Sequence, residues 1–451
     1  MTVALPKLGT ADVAEVLGRR TEGSSGNRAC GSRLTLVQDR RLNEYFQPII
    51  SQVAKRVAER LMASRFGRAK AVVLTGSFAR GEGSVLQVGD RLRVLGDMEF
   101  MVFCVEGARV QEMERDLAEQ ALDTNAWLAG LGIDCEVEFS VVSPKYLRSL
   151  QPHIFGYELL VNGRVLWGAS DVLQDSARFS AASIPRWDAW RMLNNRILEQ
   201  LLWMEALQHT NRALLEKIYY HILKCYMDIG TSLLIFGGRY QPTYASRAAE
   251  LQQWAICERK MTVLPLIAAR VAACTTFKLF PNCPRPPLGV CLNEKTGELR
   301  TKVEMAFTEL VSVVHSVWRW EAARLAKQPS SCSAADRILS DEVLRTQPRL
   351  EKLRGWAKLS LTPAVLRQRG FSGRMARLLG RGSPRYLIYS VGSQLYFESP
   401  VVLAGTTPNL GTLESLLPVA FEEHANENRD WWRMRANALL GWKLFLRNHW
   451  A

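Results

Sequence analysis

Two kinds of hydrophobic spacing alternate along the first part of the chain. Apolar residues recur at helical spacing over residues 43–65 and again over 110–131, which predicts two amphipathic helices. Shorter apolar runs occupy residues 71–75, the region around Phe100, and residues 135–142, and these predict strands. The pattern therefore indicates a mixed α/β sheet domain with flanking helices that closes near residue 170.

Two connections within this domain are less regular. Residues 78–96 are punctuated by glycines, and we expect a short helix followed by a loop there. Residues 156–168 contain Asn-Gly between two apolar runs. This arrangement predicts a β-hairpin that turns at Asn162 and Gly163.

Beyond residue 170 the spacing is helical, which predicts all-α domains. A helix over 214–236 carries a polar stripe at helical spacing, and long helices are expected over 301–327 and at the C-terminus. The stripe consists of Lys217, His221, Lys224 and Asp228. We divide the chain into a mobile leader (1–35), the sheet domain (36–170), a helical domain (171–327) and, after a serine-containing linker, a basic C-terminal helical domain (336–451).

Composition narrows the class of protein. The chain has 451 residues, of which 47% are hydrophobic and 9% aromatic, which indicates packed domains rather than disorder. No apolar run reaches the length of a membrane span, and the N-terminal residues lack the pattern of a secretion signal, so we expect no membrane partner. The nine cysteines lie mostly in apolar segments, which is typical of buried thiols in a reducing cytoplasm. We therefore expect a cytoplasmic protein.

The net charge of +14 is concentrated in residues 345–385, which contain eleven Lys or Arg and one acid, Glu351. Trp356, Phe371 and Tyr386 lie among these cations. Contacts from Lys and Arg to phosphates dominate the affinity for nucleic acids, so the segment could bind an anionic polymer such as RNA. A solvated basic face is the simpler explanation, because no recognised RNA-binding pattern accompanies it.

Carboxylates alternate along two of the predicted strands. Asp97 and Glu99 are two residues apart, so both project from one face of their strand, about 7 Å from each other. Glu136 and Glu138 likewise share one face of the third strand. The first strand runs directly into a Gly-Ser pair, residues 76–77, where glycine lets the backbone approach a phosphate closely. This combination suggests phosphate and metal chemistry.

The order of these motifs resembles the nucleotidyltransferase superfamily typified by DNA polymerase β. The resemblance is carried by Thr75-Gly76-Ser77, by Asp97-Met98-Glu99-Phe100 and by Val137-Glu138-Phe139, and the wording GSFARGEG is similar to that of bacterial members. It covers roughly residues 60–170 and, more weakly, the helices to residue 250. Two features depart from the usual pattern: the interval over residues 78–96 is long, and Glu99 stands where Asp is commoner.

The resemblance implies a magnesium-dependent enzyme that transfers a nucleoside monophosphate from a nucleoside triphosphate to an acceptor and releases pyrophosphate. The helical domain would pack on its catalytic cleft. The implied site residues fall into two groups. Asp97, Glu99 and Glu138 would be catalytic and would bind two Mg²⁺ ions, with Glu136 as the alternative third ligand, while Gly76, Ser77, Arg80 and Lys224 would bind the nucleotide.

The acceptor stays open: a small molecule, a protein side chain, RNA or a second nucleotide would each suit this layout. Two hypotheses from other classes also remain. The chain could be a catalytically silent nucleotide sensor that keeps the fold, or its sheet domain could be a scaffold for an anion-binding C-terminal domain.

Overall fold

A computed structural model describes residues 34–63, 69–174, 176–209, 211–258, 261–282, 286–329, 334–366, 368, 370–408, 410, 413–419 and 430–446. The predicted leader, except for its last two residues, lies outside these ranges, as does part of the linker predicted over 328–335. Contacts divide the chain into two compact units.

The first unit contains residues up to 184 and two later pieces of the chain, residues 241–247 and 275–286. Its strands are β1 (Ala69–Leu74), β2 (Val85–Val88), β3 (Arg91–Cys104), β4 (Ile133–Val142) and β5 (Arg164–Gly168). Its helices are α1 (Arg40–Ala63), α2 (Gly76–Ala79), α3 (Val110–Gly130), α4 (Pro144–Arg148) and α5 (Ile154–Asn162).

The five strands form one mixed sheet centred on β3. Strand β3 pairs antiparallel with β2 through its first half and with β1 through its second half, while β5 pairs with the far side of β1. On its other edge β3 pairs with β4, and this pairing is parallel. The sequence-based expectation of a mixed sheet flanked by helices is confirmed at this level.

The sheet has a large core on one face and a small core on the other. Helices α1 and α3 cover the first face, where Phe46, Ile49 and Leu117 pack against alternate residues of the strands. On the second face, Leu147 of α4 and Leu159 of α5 join a smaller cluster. Because successive strand residues point to opposite faces, β3 contributes its even-numbered residues to the large core.

The long interval over residues 78–96 forms a β-hairpin and not the predicted loop. Strand β2 pairs with the beginning of β3, and Gly89 turns the chain between them with φ of +63°. The alternating apolar and polar residues around a Gly-Asp turn carried this signal in the sequence. Because of this additional hairpin, β3 begins at Arg91, six residues before Asp97, and Asp97 lies within the central strand of the sheet.

The hairpin predicted over residues 156–168 is wrong in its first half, which is helix α5. His153 Nδ1 accepts a hydrogen bond from the Gly156 backbone N–H at 2.7 Å and caps this helix. Gly163 follows its last residue, and a side chain there would be crowded, because a Cβ would lie 2.4 Å from the Leu159 carbonyl oxygen. The second half of the predicted hairpin is β5, whose partner is β1.

The second unit is helical and contains residues 185–240, 248–274 and the described part of 287–451. Two helices, α8 (Tyr244–Cys257) and α9 (Leu264–Leu279), belong to it except for their ends. The others are α6 (Arg186–Met204), α7 (Arg212–Phe236), α10 (Thr296–Leu325), α11 (Asp336–Thr346), α12 (Arg349–Ser360), α13 (Pro363–Leu366), α14 (Phe371–Leu378), α15 (Pro384–Phe397), α16 (Ser399–Leu403) and α17 (Asp430–Leu446).

Residues beyond 336, expected to form a domain of their own, pack within this second unit. The Arg435 Nε of α17 donates to the Leu201 carbonyl oxygen at the end of α6 at 2.8 Å. The Tyr389 hydroxyl of α15 and the Trp442 Nε1 of α17 both donate to Asn195 Oδ1 of α6, at 2.7 and 3.0 Å. The predicted boundary near residue 336 therefore does not separate two compact bodies.

Helices of the described ranges are nowhere both long enough and apolar enough to cross a membrane. The six cysteines within those ranges are free thiols, and Cys104, Cys225 and Cys274 among them are buried. The remaining three, Cys30, Cys283 and Cys332, lie outside the described residues.

Helix α10 carries a fully buried carboxyl group. Glu321 has no exposed surface, and its burial raises its pKa to about 8, although Ser232 and Arg324 act in the opposite direction. The side chain is therefore protonated at neutral pH in the folded protein and ionised in the unfolded chain. Above the unfolded pKa near 4.5, folding takes up a proton at this position.

We expect the free energy of unfolding to fall by about 1.4 kcal/mol per pH unit on account of Glu321 as the pH rises from about 4.5 to about 8. Glu321→Gln should remove this contribution. The free energy of unfolding of the variant, relative to that of wild type, should therefore increase across this pH range and then level off. Urea denaturation at a series of pH values measures the difference. Glu298→Gln, an exposed acid on the same helix, is the control, and parallel curves for Glu321→Gln and wild type would contradict the expectation.

Candidate functional site

The parallel pairing of β3 with β4 places four carboxylates on one face of the sheet. Asp97 is the register partner of Glu136, and Glu99 is the register partner of Glu138. Side chains of paired residues on neighbouring strands project to the same side. The structure therefore brings together Asp97, Glu99 and both candidates for the third acid, and we call these four residues the acid face.

The opposite face of the same strands explains this orientation. Met98, Phe100 and Val137 alternate with the acids and are almost completely buried in the large core. The Phe100 and Phe139 rings pack across the two strands with their centroids 5.5 Å apart. Burial of these apolar side chains leaves the acids on the other side, where Asp97 and Glu99 are half-buried and the two β4 glutamates are exposed.

The Gly-Ser turn lies directly against this acid face. Gly76 has φ of +64°, and a Cβ at this position would lie 2.6 Å from Glu99 Oε1. The Thr75 backbone N–H donates to the Glu99 carbonyl oxygen at 2.9 Å, which fixes the turn to β3. The backbone conformation at residue 76 therefore favours glycine, and a side chain there would displace the Glu99 carboxylate.

A lysine that sequence analysis did not identify also lies near the acids. Lys278, at the end of α9, is only 6% exposed and belongs to the piece of chain that returns to the first unit. Its burial and the charge of Arg80 lower its pKa to about 8, while Glu82, Asp97 and Glu99 favour its charged form. In the sequence, Lys278 is a single cation near the end of an apolar helix. Such a position is common and does not by itself indicate a functional residue.

Arg80, a predicted nucleotide-binding residue, lies in a buried network of ions. Its guanidinium pairs with Glu82 at 3.1 Å and with Glu158 at 2.5 Å, and its side chain is only 7% exposed. Arg247, from the other returning piece, also pairs with Glu158. The Tyr244 ring lies against both guanidinium groups, whose centres are 5.0 and 4.9 Å from its centroid. These partners give Arg80 a structural role that needs no nucleotide.

The same network anchors the loop that follows the Gly-Ser turn. Glu82 Oε1 accepts from the Ala245 backbone N–H at 3.0 Å, and the Glu82 N–H donates to the Ser77 carbonyl oxygen at 2.8 Å. On the other side of the loop, Gln38 Nε2 donates to the Gly81 carbonyl oxygen at 2.8 Å. The residues around Ser77 are therefore held in place before any ligand binds.

Lys224 belongs to the second unit, where its predicted polar stripe packs against α6. Arg196 of α6 pairs with both Asp228 and Glu199. Glu199 Oε1 lies 3.1 Å from His221 Nδ1, and the charges of Arg196 and Lys224 help to hold the pKa of Glu199 well below its usual range despite burial. Lys224 thus has an acidic neighbour within its own unit.

The acid face suits a hard divalent cation by its chemistry, since all its donors are carboxylate oxygens. Asp97 and Glu99 fit such an ion as a neighbouring pair. Within the described residues, however, no three Asp, Glu, His or Cys side chains are gathered in one metal-binding group. The register does not choose between Glu136 and Glu138 as the third ligand.

The aromatic residues of the basic segment lie in the core of the second unit. Trp356, Phe371 and Tyr386 are at most 5% exposed. These three rings therefore cannot stack on the bases of a single-stranded nucleic acid. The hypothesis that residues 345–385 bind RNA is therefore supported only by the Lys and Arg residues of this segment.

No protein-family model matches the chain, and comparisons with curated proteins and with solved structures give no significant match. The resemblance to nucleotidyltransferases therefore rests on the motifs and on the arrangement described above.

Gly76→Ala should displace the Glu99 carboxylate, whereas Gly89→Ala should not. Both glycines have nearly the same positive φ, so both variants should lose about 1 kcal/mol of stability through backbone strain. Only at residue 76 does the new Cβ meet another group, because nothing lies within 4 Å at Gly89. Crystal structures and urea denaturation of the pair test this, and an unmoved Glu99 in Gly76→Ala would show that the contact is not as close as described.

Arg247→Met should destabilise the protein by about 2–3 kcal/mol, because the Glu158 carboxylate loses one of its two buried cations and keeps only Arg80. Arg239→Met is the matched control. Arg239 pairs with Glu250 at 2.7 Å but is 46% exposed, so its loss should cost less than about 1 kcal/mol. Equal losses in urea denaturation would mean that the buried network contributes no more than a surface pair.

Proposed function

We propose that this chain is a nucleotidyltransferase that transfers a nucleoside monophosphate from a nucleoside triphosphate to an acceptor hydroxyl and releases pyrophosphate. The observation that carries the proposal is the contact of the Gly76 turn with the Glu99 carboxylate on a strand that also bears Asp97. This contact puts a phosphate-binding type of turn next to a metal-binding type of carboxylate pair. The family resemblance of the same residues supports the proposal.

The triphosphate would lie over the turn, beside the acid face. The Gly76 backbone and the Ser77 hydroxyl, both partly accessible, are the donors for its phosphate oxygens. Lys278 supplies a cation beside the acids, and its buried position makes its charge more effective than that of a solvated lysine. Lys278 thus becomes a further nucleotide-binding candidate beside Arg80, whose charge is shared by two glutamates.

Asp97 and Glu99 would hold magnesium, with Glu138 or Glu136 as the further ligand. When bound, magnesium neutralises charge on the reacting phosphate and on the leaving pyrophosphate. The protein's own contribution is to fix the two β3 carboxylates through the buried Met98 and Phe100 beside them.

The reaction exchanges one phosphorus–oxygen bond for another. The acceptor oxygen forms a bond to the α-phosphorus as the bond from that phosphorus to the bridging oxygen breaks, and pyrophosphate leaves with the electron pair. The acceptor proton passes to a carboxylate of the acid face, and Glu138, which is exposed, is the candidate base. Lys278 is the candidate to stabilise the charge that develops on pyrophosphate.

The test is transfer of label from α-labelled nucleoside triphosphates in the presence of magnesium, together with pyrophosphate release. Asp97→Asn with Glu99→Gln should lower the rate at least about a hundredfold without unfolding the protein. Glu119→Gln with Asp123→Asn removes the same two charges from the exposed surface of α3 and is the control. Undiminished pyrophosphate release by the first variant would refute the assignment.

A second candidate, a catalytically silent nucleotide-binding protein, is favoured by one observation. No third carboxylate is drawn into a metal-binding group within the described residues. Isothermal titration with a non-hydrolysable triphosphate separates the two functions when combined with the transfer assay. Binding that depends on Lys278, as shown by its loss in Lys278→Met, without transfer to any acceptor would favour the silent protein.

A further inference from the structure

Helix α12 exposes a stripe of leucines on the second unit. Leu350, Leu353 and Leu361 are 66%, 52% and 80% exposed, and the exposed Ala357 lies between them. Their spacing of i, i+3, i+7 and i+11 places all four on one side of the helix. Leu361, the last of them, directly follows the helix. We call these four residues the leucine stripe.

The other side of α12 is fixed in the core of the unit. Trp356 and Leu359 are each 2% exposed, and the Trp356 Nε1 donates to the Gly382 carbonyl oxygen at 2.9 Å. The helix is therefore held with the leucine stripe facing outwards. Rotation of the helix could not cover the stripe without breaking this packing.

Cations border the leucine stripe on both sides. Arg354 and Lys358 lie along one side, Arg349 lies along the other, and all three are exposed. Glu351 is the one acid among the residues 345–385. A surface that matches α12 must therefore be apolar along its middle and negatively charged on both sides.

We propose that the leucine stripe binds an anionic lipid surface, with the leucines inserted at the level of the headgroups and the flanking cations in contact with lipid phosphates and carboxylates. A planar interface meets the outward side of a docked helix without having to surround it. The attraction of Lys and Arg to anionic leaflets adds to the insertion of apolar side chains. Such a contact is peripheral and needs no membrane-spanning helix.

Other occupants fit less well. A second copy of the chain would bring two basic segments together, which is repulsive. Nucleic acid would leave the leucines exposed to water, while the aromatic rings that could stack on bases are buried. A protein helix lying along α12, which is about 18 Å long, would bury much less than the roughly 1,000 Å² of a stable interface.

The experiment is co-sedimentation of the full chain with vesicles of phosphatidylcholine and phosphatidylserine, compared with vesicles of phosphatidylcholine alone. Wild type should bind the anionic vesicles, and rising salt should weaken the binding. The triple variant Leu350→Ser, Leu353→Ser, Leu361→Ser should bind at least about tenfold more weakly. The matched control is Ile256→Ser with Met305→Ser, two residues on other helices that are 80% and 67% exposed, and it should bind as wild type does.

Three results would overturn the proposal: no sedimentation with anionic vesicles, equal sedimentation of the leucine variant and wild type, or equal binding to neutral vesicles. Circular dichroism checks that the leucine variant is folded. If it is not, Arg349→Gln with Arg354→Gln and Lys358→Gln provides a second variant, and undiminished binding to anionic vesicles would then refute the proposal. The proposal does not depend on nucleotide transfer, so its failure leaves the proposed function untouched.

Discussion

The arrangement of the first unit depends on the parallel register between β3 and β4. Met98 and Phe100 on one strand and Val137 on the other are buried in the core beneath α1 and α3, and the acids occupy the alternate positions. A slip of one residue would turn carboxylates into this core, where an unpaired charge is very unfavourable. Hydrophobic burial on one face therefore determines where charge collects on the other.

The acid face is completed by parts of the chain that come much later in the sequence. Tyr244 and Arg247 pack against Arg80 and Glu158, and Lys278 lies within the field of Asp97 and Glu99. Buried ions of both signs thus surround the Gly-Ser turn. Such pairs add little net stability compared with apolar packing, but breaking one leaves a buried charge without compensation, so the turn is held in a single arrangement.

The aromatic residues of the basic segment pack in the core of the second unit and are not available to contact an anionic polymer. Trp356, Phe371 and Tyr386 are parts of the core, and the surface of α12 presents leucines and cations instead. A helix can bury a tryptophan and expose leucines only because its two sides face different surroundings. The feature that points to a partner is therefore an exposed apolar stripe, and the arginines border it.

The sequence by itself determined the elements whose periodicity is strong and local. The helices near 43–65 and 110–131, the strand that carries Glu138, and the alternation that places Asp97 and Glu99 on one face all follow from neighbouring residues. Local patterns alone do not distinguish a strand from a helix over residues 156–162, because a short apolar run is compatible with both. In the folded protein, the His153 cap and the packing of Leu159 in the small core stabilise the helix. Only the tertiary structure could show that Lys278 lies near the acids, or that Glu82 binds the Ala245 amide from 163 residues away. Residues so far apart meet because separate segments bury their apolar sides together, and no spacing within one segment records that meeting.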